Sequence, residues 1–137
     1  SYSFGVPVAQ VCEVEDREDG LAVTGLWIAA EVGRVLDPVN IEAQLSGGAL
    51  FGLGHAMHGE ITFEGHMPRQ SNFHDFRSLR LHQTPPVTVR AMGSGGPIRG
   101  AGEPGLPPAA PALGNAIFAA TGTRLREMPF ARGVRFA

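Results

Sequence analysis

Glu103 stands in Gly100-Ala-Gly-Glu-Pro-Gly105, a glycine-rich run followed at once by the apolar stretch from Leu106 to Thr121. Gly102 and Gly105 bring no side chains to that run, so a ligand or another backbone can come close to the carboxylate. Pro107 and Pro108 suit the first turn of a helix, and the positive end of a helix macrodipole favours the ionised, proton-accepting form of a carboxylate beside it. The chemistry on offer is that of a general base. These residues leave a second role equally open, a carboxylate that only stabilises the helix start. Gln44, in Gln44-Leu-Ser-Gly-Gly48, poses a similar choice. Its amide could donate to the edge of a cofactor among small neighbours, although most polar side chains are simply exposed, and the residues alone favour that plainer role.

Other constellations carry less. Gly100-x-Gly102-x-x-Gly105 formally matches a dinucleotide fingerprint, with Glu127 at a distance suited to a ribose contact. However, Pro104 removes an amide from the phosphate cradle, no clear strand leads into the first glycine, and little chain remains for a second strand. His55 and His58 share a helix face at i and i+3, with Glu60, His66, His74 and His82 downstream. There is no HExxH spacing and no clear third ligand, so no metal site is expected. His74-Asp75 has no activated nucleophile beside it, and Cys12 reads as a small core residue. All 11 cationic side chains are arginines, which rules out Schiff-base and Walker lysines within the chain. One cysteine can neither hold an iron–sulfur cluster nor close an internal disulfide. A formal charge of −2 leaves no basic footprint, so nucleic acid is not an expected partner.

The elements that must position these residues follow from the pattern. A chain of 137 residues supports one core, and 43% hydrophobic residues is a globular value despite 19 glycines and 11 prolines. Phe4, Val6, Val8, Val11 and Val14 predict a strand over 4–14, Asp19-Gly20 a hairpin turn, and 21–30 its antiparallel partner. Asp37 as N-cap and Pro38 at the first position predict a helix over about 38–57, with Ile41, Leu45, Gly48 and Gly52 on one face. Gly47, Gly48, Gly52 and Gly54 each cost roughly 1 kcal/mol in an exposed helix interior, so something large is expected to pack closely there. Short β-like pieces at 60–63 and 86–90 flank an irregular stretch at 70–77. The glycine loop 93–105 then leads to a helix over about 107–121, apolar nearly all round and therefore expected to be buried. Gly122 supplies its left-handed cap, and 124–130 is expected to close as a short extended segment. No apolar run approaches the roughly 20 residues of a membrane span. The first residues lack signal-peptide features, which leaves the compartment open. With no initiating Met, the chain is expected to be a piece of something longer.

Residues 100–126 resemble the C-terminal signature of the molybdenum hydroxylases, the xanthine oxidase and aldehyde oxidoreductase family. Residues 33–53 and 70–80 agree with the same family in order, and the likeness is greatest to the molybdopterin-binding large subunit of isoquinoline 1-oxidoreductase-like enzymes. The resemblance implies an α+β fold with an antiparallel or mixed sheet and about two main helices, as one C-terminal segment spanning 1–137. It implies a molybdenum–molybdopterin cofactor, in a dinucleotide form, in the complete enzyme and none in the isolated chain. It also implies oxidation of an aldehyde or N-heterocycle with water as the oxygen source. By the same match Glu103 is the base, while Gln44, Gly47, Gly48 and Gly102 line the cofactor. Implied partners are the remainder of the large subunit and an iron–sulfur electron-transfer subunit, since family large subunits are several times longer and their other cofactor-binding segments are absent here. At Ala30-Glu-Val-Gly33 the chain departs from the family's common Val-Asp-Cys-Gly. Alone, the chain is expected to be inactive. A non-catalytic binding or assembly module that keeps the fold without cofactor is the alternative.

Overall fold

The structure, a computed structural model, describes residues 1–137. Strand β1 (Tyr2–Ser3) turns at Phe4-Gly5 into β2 (Val6–Arg17), and Glu18-Asp19 turns β2 into β3 (Gly20–Glu31). The β2–β3 pairing is antiparallel, with a register shift at Glu13/Val14, where Glu13 faces Gly25 and Val14 faces Val23. Thr24 is the extra residue, and its hydroxyl donates to Glu13 at 2.9 Å. Because side chains alternate along a strand, that one-residue bulge moves the inward row of β3 from Leu21 and Val23 to Leu26, Ile28 and Ala30. On β2 the inward row holds Val6, Val8 and Cys12. Val11 points the other way and is 62% exposed, so it does not share the face of Val6 and Val8.

Helix α1 (Pro38–Met57) begins as the sequence predicts: the Asp37 carboxylate accepts from the Asn40 amide at 3.0 Å, with proline in the first turn. The chain then makes the small hairpin of β4 (Phe63–Glu64) and β5 (Met67–Pro68), shorter than the 60–63 strand expected, and passes through the irregular 70–80 region. It returns as β6 (Val87–Met92), parallel to β3. A parallel neighbour requires a long crossover, and α1 with residues 58–86 provides it. The sheet order is β1-β2-β3-β6, a mixed sheet, and with two helices the fold is α+β.

Helix α2 (Ala109–Thr121) packs with α1 on one face of the sheet. The core lies between the layers and includes Leu26, Ile28, Leu45, Leu53, Leu113 and Ile117. Two expectations need correction. Only Ala109, Leu113, Gly114 and Ile117 of α2 are buried, whereas Phe118, Ala119 and Ala120 are exposed, because the helix touches the core along a single stripe. The segment 124–130 is not extended pairing. Pro129 lacks an amide for a ladder, and the chain forms a 3-10 turn at Phe130–Arg132 before Phe136 bridges Leu21. Gly122 ends α2 at φ 73°, as expected of a left-handed cap.

Candidate active site around Glu103

The glycine loop is fastened at both ends. At its start, the Glu31 carboxylate accepts from the Gly33 amide at 2.8 Å and the Ser94 amide at 3.1 Å. Hydrogen bonds from Ser94 and Gly33 hold that carboxyl below its usual range. At its end, the loop lies against α1 backbone to backbone. A Cβ on Gly105 would overlap the Leu45 carbonyl oxygen, and one on Gly52 would come within 2.7 Å of the Leu106 carbonyl oxygen. The large object that the α1 glycines admit is therefore, at Gly48 and Gly52, this chain's own 102–109 segment. The carboxamide of Gln10, on β2, also donates to the Gly105 carbonyl at 2.6 Å.

Glu103 sits between these fastenings. Its carbonyl accepts from the Leu106 amide at 2.9 Å, Pro104 beside it is buried, and its side chain is exposed. No hydrogen bond or ion pair engages the carboxylate. Because α2 begins only at Ala109, after turns through Pro107 and Pro108, the carboxylate caps no helix amide. With α2 starting beyond Glu103, the helix dipole supports neither the stabilising role nor a bias of this carboxylate towards a base.

Gln44 comes to the same place from α1. It is exposed, and its Oε1 lies 3.3 Å from where a Gly102 Cβ would stand. Gly48 completes the contact, since a Cβ there would meet the Gly102 carbonyl oxygen at 3.1 Å. Gln44, Gly48, Gly102 and Glu103 are therefore neighbours. Gly47 is not among them. It lines a separate cavity of about 290 Å³ with Leu50, Phe51, His55 and Phe76, and nothing lies within 4 Å of its Cβ position.

Four of the remaining candidates, His55, His58, Asp75 and Cys12, pack or bond within the fold, although neither ring nitrogen of His58 has a hydrogen-bond partner. His55 stands edge-on to Phe51 and Phe76, with centroids 4.6 and 6.2 Å away. His58 is buried against Phe136, and burial with the nearby Arg77 guanidinium pushes its imidazole down. Asp75 accepts from the Asn72 and Ser71 amides, which hold its carboxyl down to about 2. Burial, with Glu13 adjacent, pushes the Cys12 thiol up to about 12. No three His, Cys, Asp or Glu side chains form a metal-binding group, and no helix is long and apolar enough to cross a membrane.

Sequence reasoning missed Gln10 and Glu31. For Gln10 the signal was present: it interrupts the inward row Val6, Val8, Cys12 with a polar side chain. Glu31 gives no comparable sign, because its partners lie on a loop whose path the sequence does not dictate.

Cofactor fit can be judged from the open side of this cluster. Position 100 has empty space where a Cβ would be, and the exposed Gln44 carboxamide stands beside Gly102. Bare backbone with an amide side chain suits a flat, hydrogen-bonding heterocycle. The sequence model of the molybdopterin cofactor-binding domain matches residues 1–85, which include Gln44 and stop short of the loop. Isoquinoline 1-oxidoreductase subunit beta of Brevundimonas diminuta is 36% identical over 124 residues, 89% of this chain and 16% of that one. The membrane-bound aldehyde dehydrogenase [pyrroloquinoline-quinone] of Gluconacetobacter polyoxogenes is 36% identical over 129 residues, 91% of this chain and 17% of that one. This chain thus spans about one-sixth of the length of these relatives. In fold it superposes on the aldehyde oxidoreductase of Desulfovibrio desulfuricans with a TM-score of 0.76, at 22% identity over 90% of this chain and 14% of that one. By sequence the chain belongs to the family of molybdopterin cofactor-binding domains found in molybdenum hydroxylases.

Proposed function

We propose that the chain is the portion of a molybdenum hydroxylase large subunit that brings the catalytic base, Glu103, to the molybdenum cofactor. The observation that carries this reading is the meeting of Gln44 and Glu103 through the Gly48–Gly102 backbone contact, 59 residues apart in sequence. When bound, the cofactor supplies the activated oxygen and accepts the electrons of the oxidation. Glu103 holds the proton released as that oxygen is transferred. Its carboxylate has no competing partner within the chain, and Pro104 and Gly105 fix the backbone behind it. Gln44 and the backbone at Gly102 orient the pterin edge, and Gly48 lets the loop lie close enough to α1 for both to reach it. Gly47 leaves the adjoining surface of α1 bare.

The reading extends to a dinucleotide form of the cofactor and to an aldehyde or N-heterocycle as substrate, as the family resemblance implies. Relatives are named as an isoquinoline 1-oxidoreductase subunit, an aldehyde dehydrogenase and a nicotinate dehydrogenase subunit. The remainder of the large subunit and an iron–sulfur subunit complete the electron path, because the single Cys12 cannot ligate a cluster. In the assembled enzyme, Glu103→Gln is expected to keep molybdenum content near normal and to lower kcat about a thousandfold, within the usual range for loss of an acid–base group. Turnover close to wild type at full molybdenum loading would remove Glu103 from this role.

A further inference from the structure

The inward row of β2 reads Val6, Val8, Gln10, Cys12, and the three other members are at most 9% exposed. A carboxamide placed in such a row loses water, which is unfavourable unless its polar atoms find partners. Nε2 of Gln10 finds one, the Gly105 carbonyl at 2.6 Å and 95 residues away, while Oε1 is buried with none. Gln10 therefore spends its polarity on the loop of Glu103. Gly105 is two residues from Glu103, and a Cβ on it would overlap the Leu45 carbonyl oxygen. The chain then turns through the bond from the Leu106 amide to the Glu103 carbonyl at 2.9 Å. On the other side, Gly102 rests on Gly48 and Gln44. The exposed Glu103 side chain has no bond of its own, so its place is set by what holds Gly102 and Gly105.

We propose that Gln10 is a positioning residue: its amide fixes the Gly105 carbonyl and with it the reach of the Glu103 carboxylate. The inference rests on Glu103 being the base. A shift of about 1 Å in a reacting group can lower a rate on the order of a hundredfold, so one bond at the hinge of the loop is enough to matter.

The test uses the cofactor-loaded enzyme that contains this chain. Gln10→Leu and Gln10→Met keep the bulk and remove the donor. Each is expected to lower kcat about ten- to a hundredfold, with KM within twofold and full molybdenum. Peptides covering 100–107 are expected to take up deuterium faster, with the 45–53 region of α1 unchanged, a pattern that general loss of packing would not give. A kcat within twofold of wild type, while Glu103→Gln is inactive, overturns the positioning role and leaves the base in place. A lowered kcat without faster exchange in 100–107 overturns it too. Loss of molybdenum from both variants assigns Gln10 to packing and also overturns it. An active, fully loaded Glu103→Gln enzyme overturns the reading of the base, and the inference with it.

Discussion

Gln10 and Cys12 occupy successive inward positions of β2 and answer burial in different ways. The amide makes one strong bond and leaves one acceptor without a partner, whereas the thiol stays neutral. Burial raises its pKa from the ordinary 9.0 to about 12 in the fold. A folded-state pKa above the unfolded value means that the native state binds the proton more tightly, so this contribution to stability is complete below pH 9.0 and is lost as pH rises towards about 12. Chemical denaturation across pH 8–12 is expected to show stability falling on the alkaline side, with a shallower fall in Cys12→Ala. The same burial predicts that native Cys12 reacts at pH 8 with an aromatic disulfide reagent far more slowly than after unfolding, a difference that thiol titration reads directly.

Two glycines of α1 separate packing from propensity at the scale of elements. At Gly52 a Cβ would stand 2.7 Å from the Leu106 carbonyl oxygen and 2.8 Å from the Ala109 Cβ, where the start of α2 crosses α1. Gly52→Ala is therefore expected to destabilise the chain by about 1–3 kcal/mol, the usual range for overpacking. At Gly47 nothing lies within 4 Å, and Gly47→Ala is expected to stabilise by about 0.5–1 kcal/mol through helix propensity alone. Urea midpoints of the two variants, moving in opposite directions, check both. The boundaries of α1 were legible because Asp37, Pro38 and the apolar spacing are local signals. The parallel placement of β6 was not, since strand order depends on how a crossover packs and not on the residues of the strand. The meeting of Gln44 with the Glu103 loop was likewise hidden. The sequence indicates that the α1 glycines must admit something, but in the pattern a cofactor and the chain's own loop look alike.

Across the whole molecule, the proposed cofactor residues lie on open surface. Every residue proposed to touch the cofactor apart from Gly48 is exposed, and none of the cavities of 290 to 490 Å³ is lined by Glu103 or Gln44. The outer face of the sheet carries Val11, Trp27 and Met92, each more than 40% exposed. Cofactor sites typically enclose most of their ligand's surface, and the proposed site offers an open surface instead. The chain spans about one-sixth of its relatives, so the enclosing walls are proposed to come from the rest of the large subunit. Metal analysis of the isolated 137-residue chain, after exposure to the molybdenum cofactor, is expected to find far less than one molybdenum per chain. Restoring the remainder of the subunit is expected to bring the content to near one. Stoichiometric uptake by the chain alone would mean that Gln44, Gly102 and Glu103 form a complete site, and that the open face around them is not waiting for further protein.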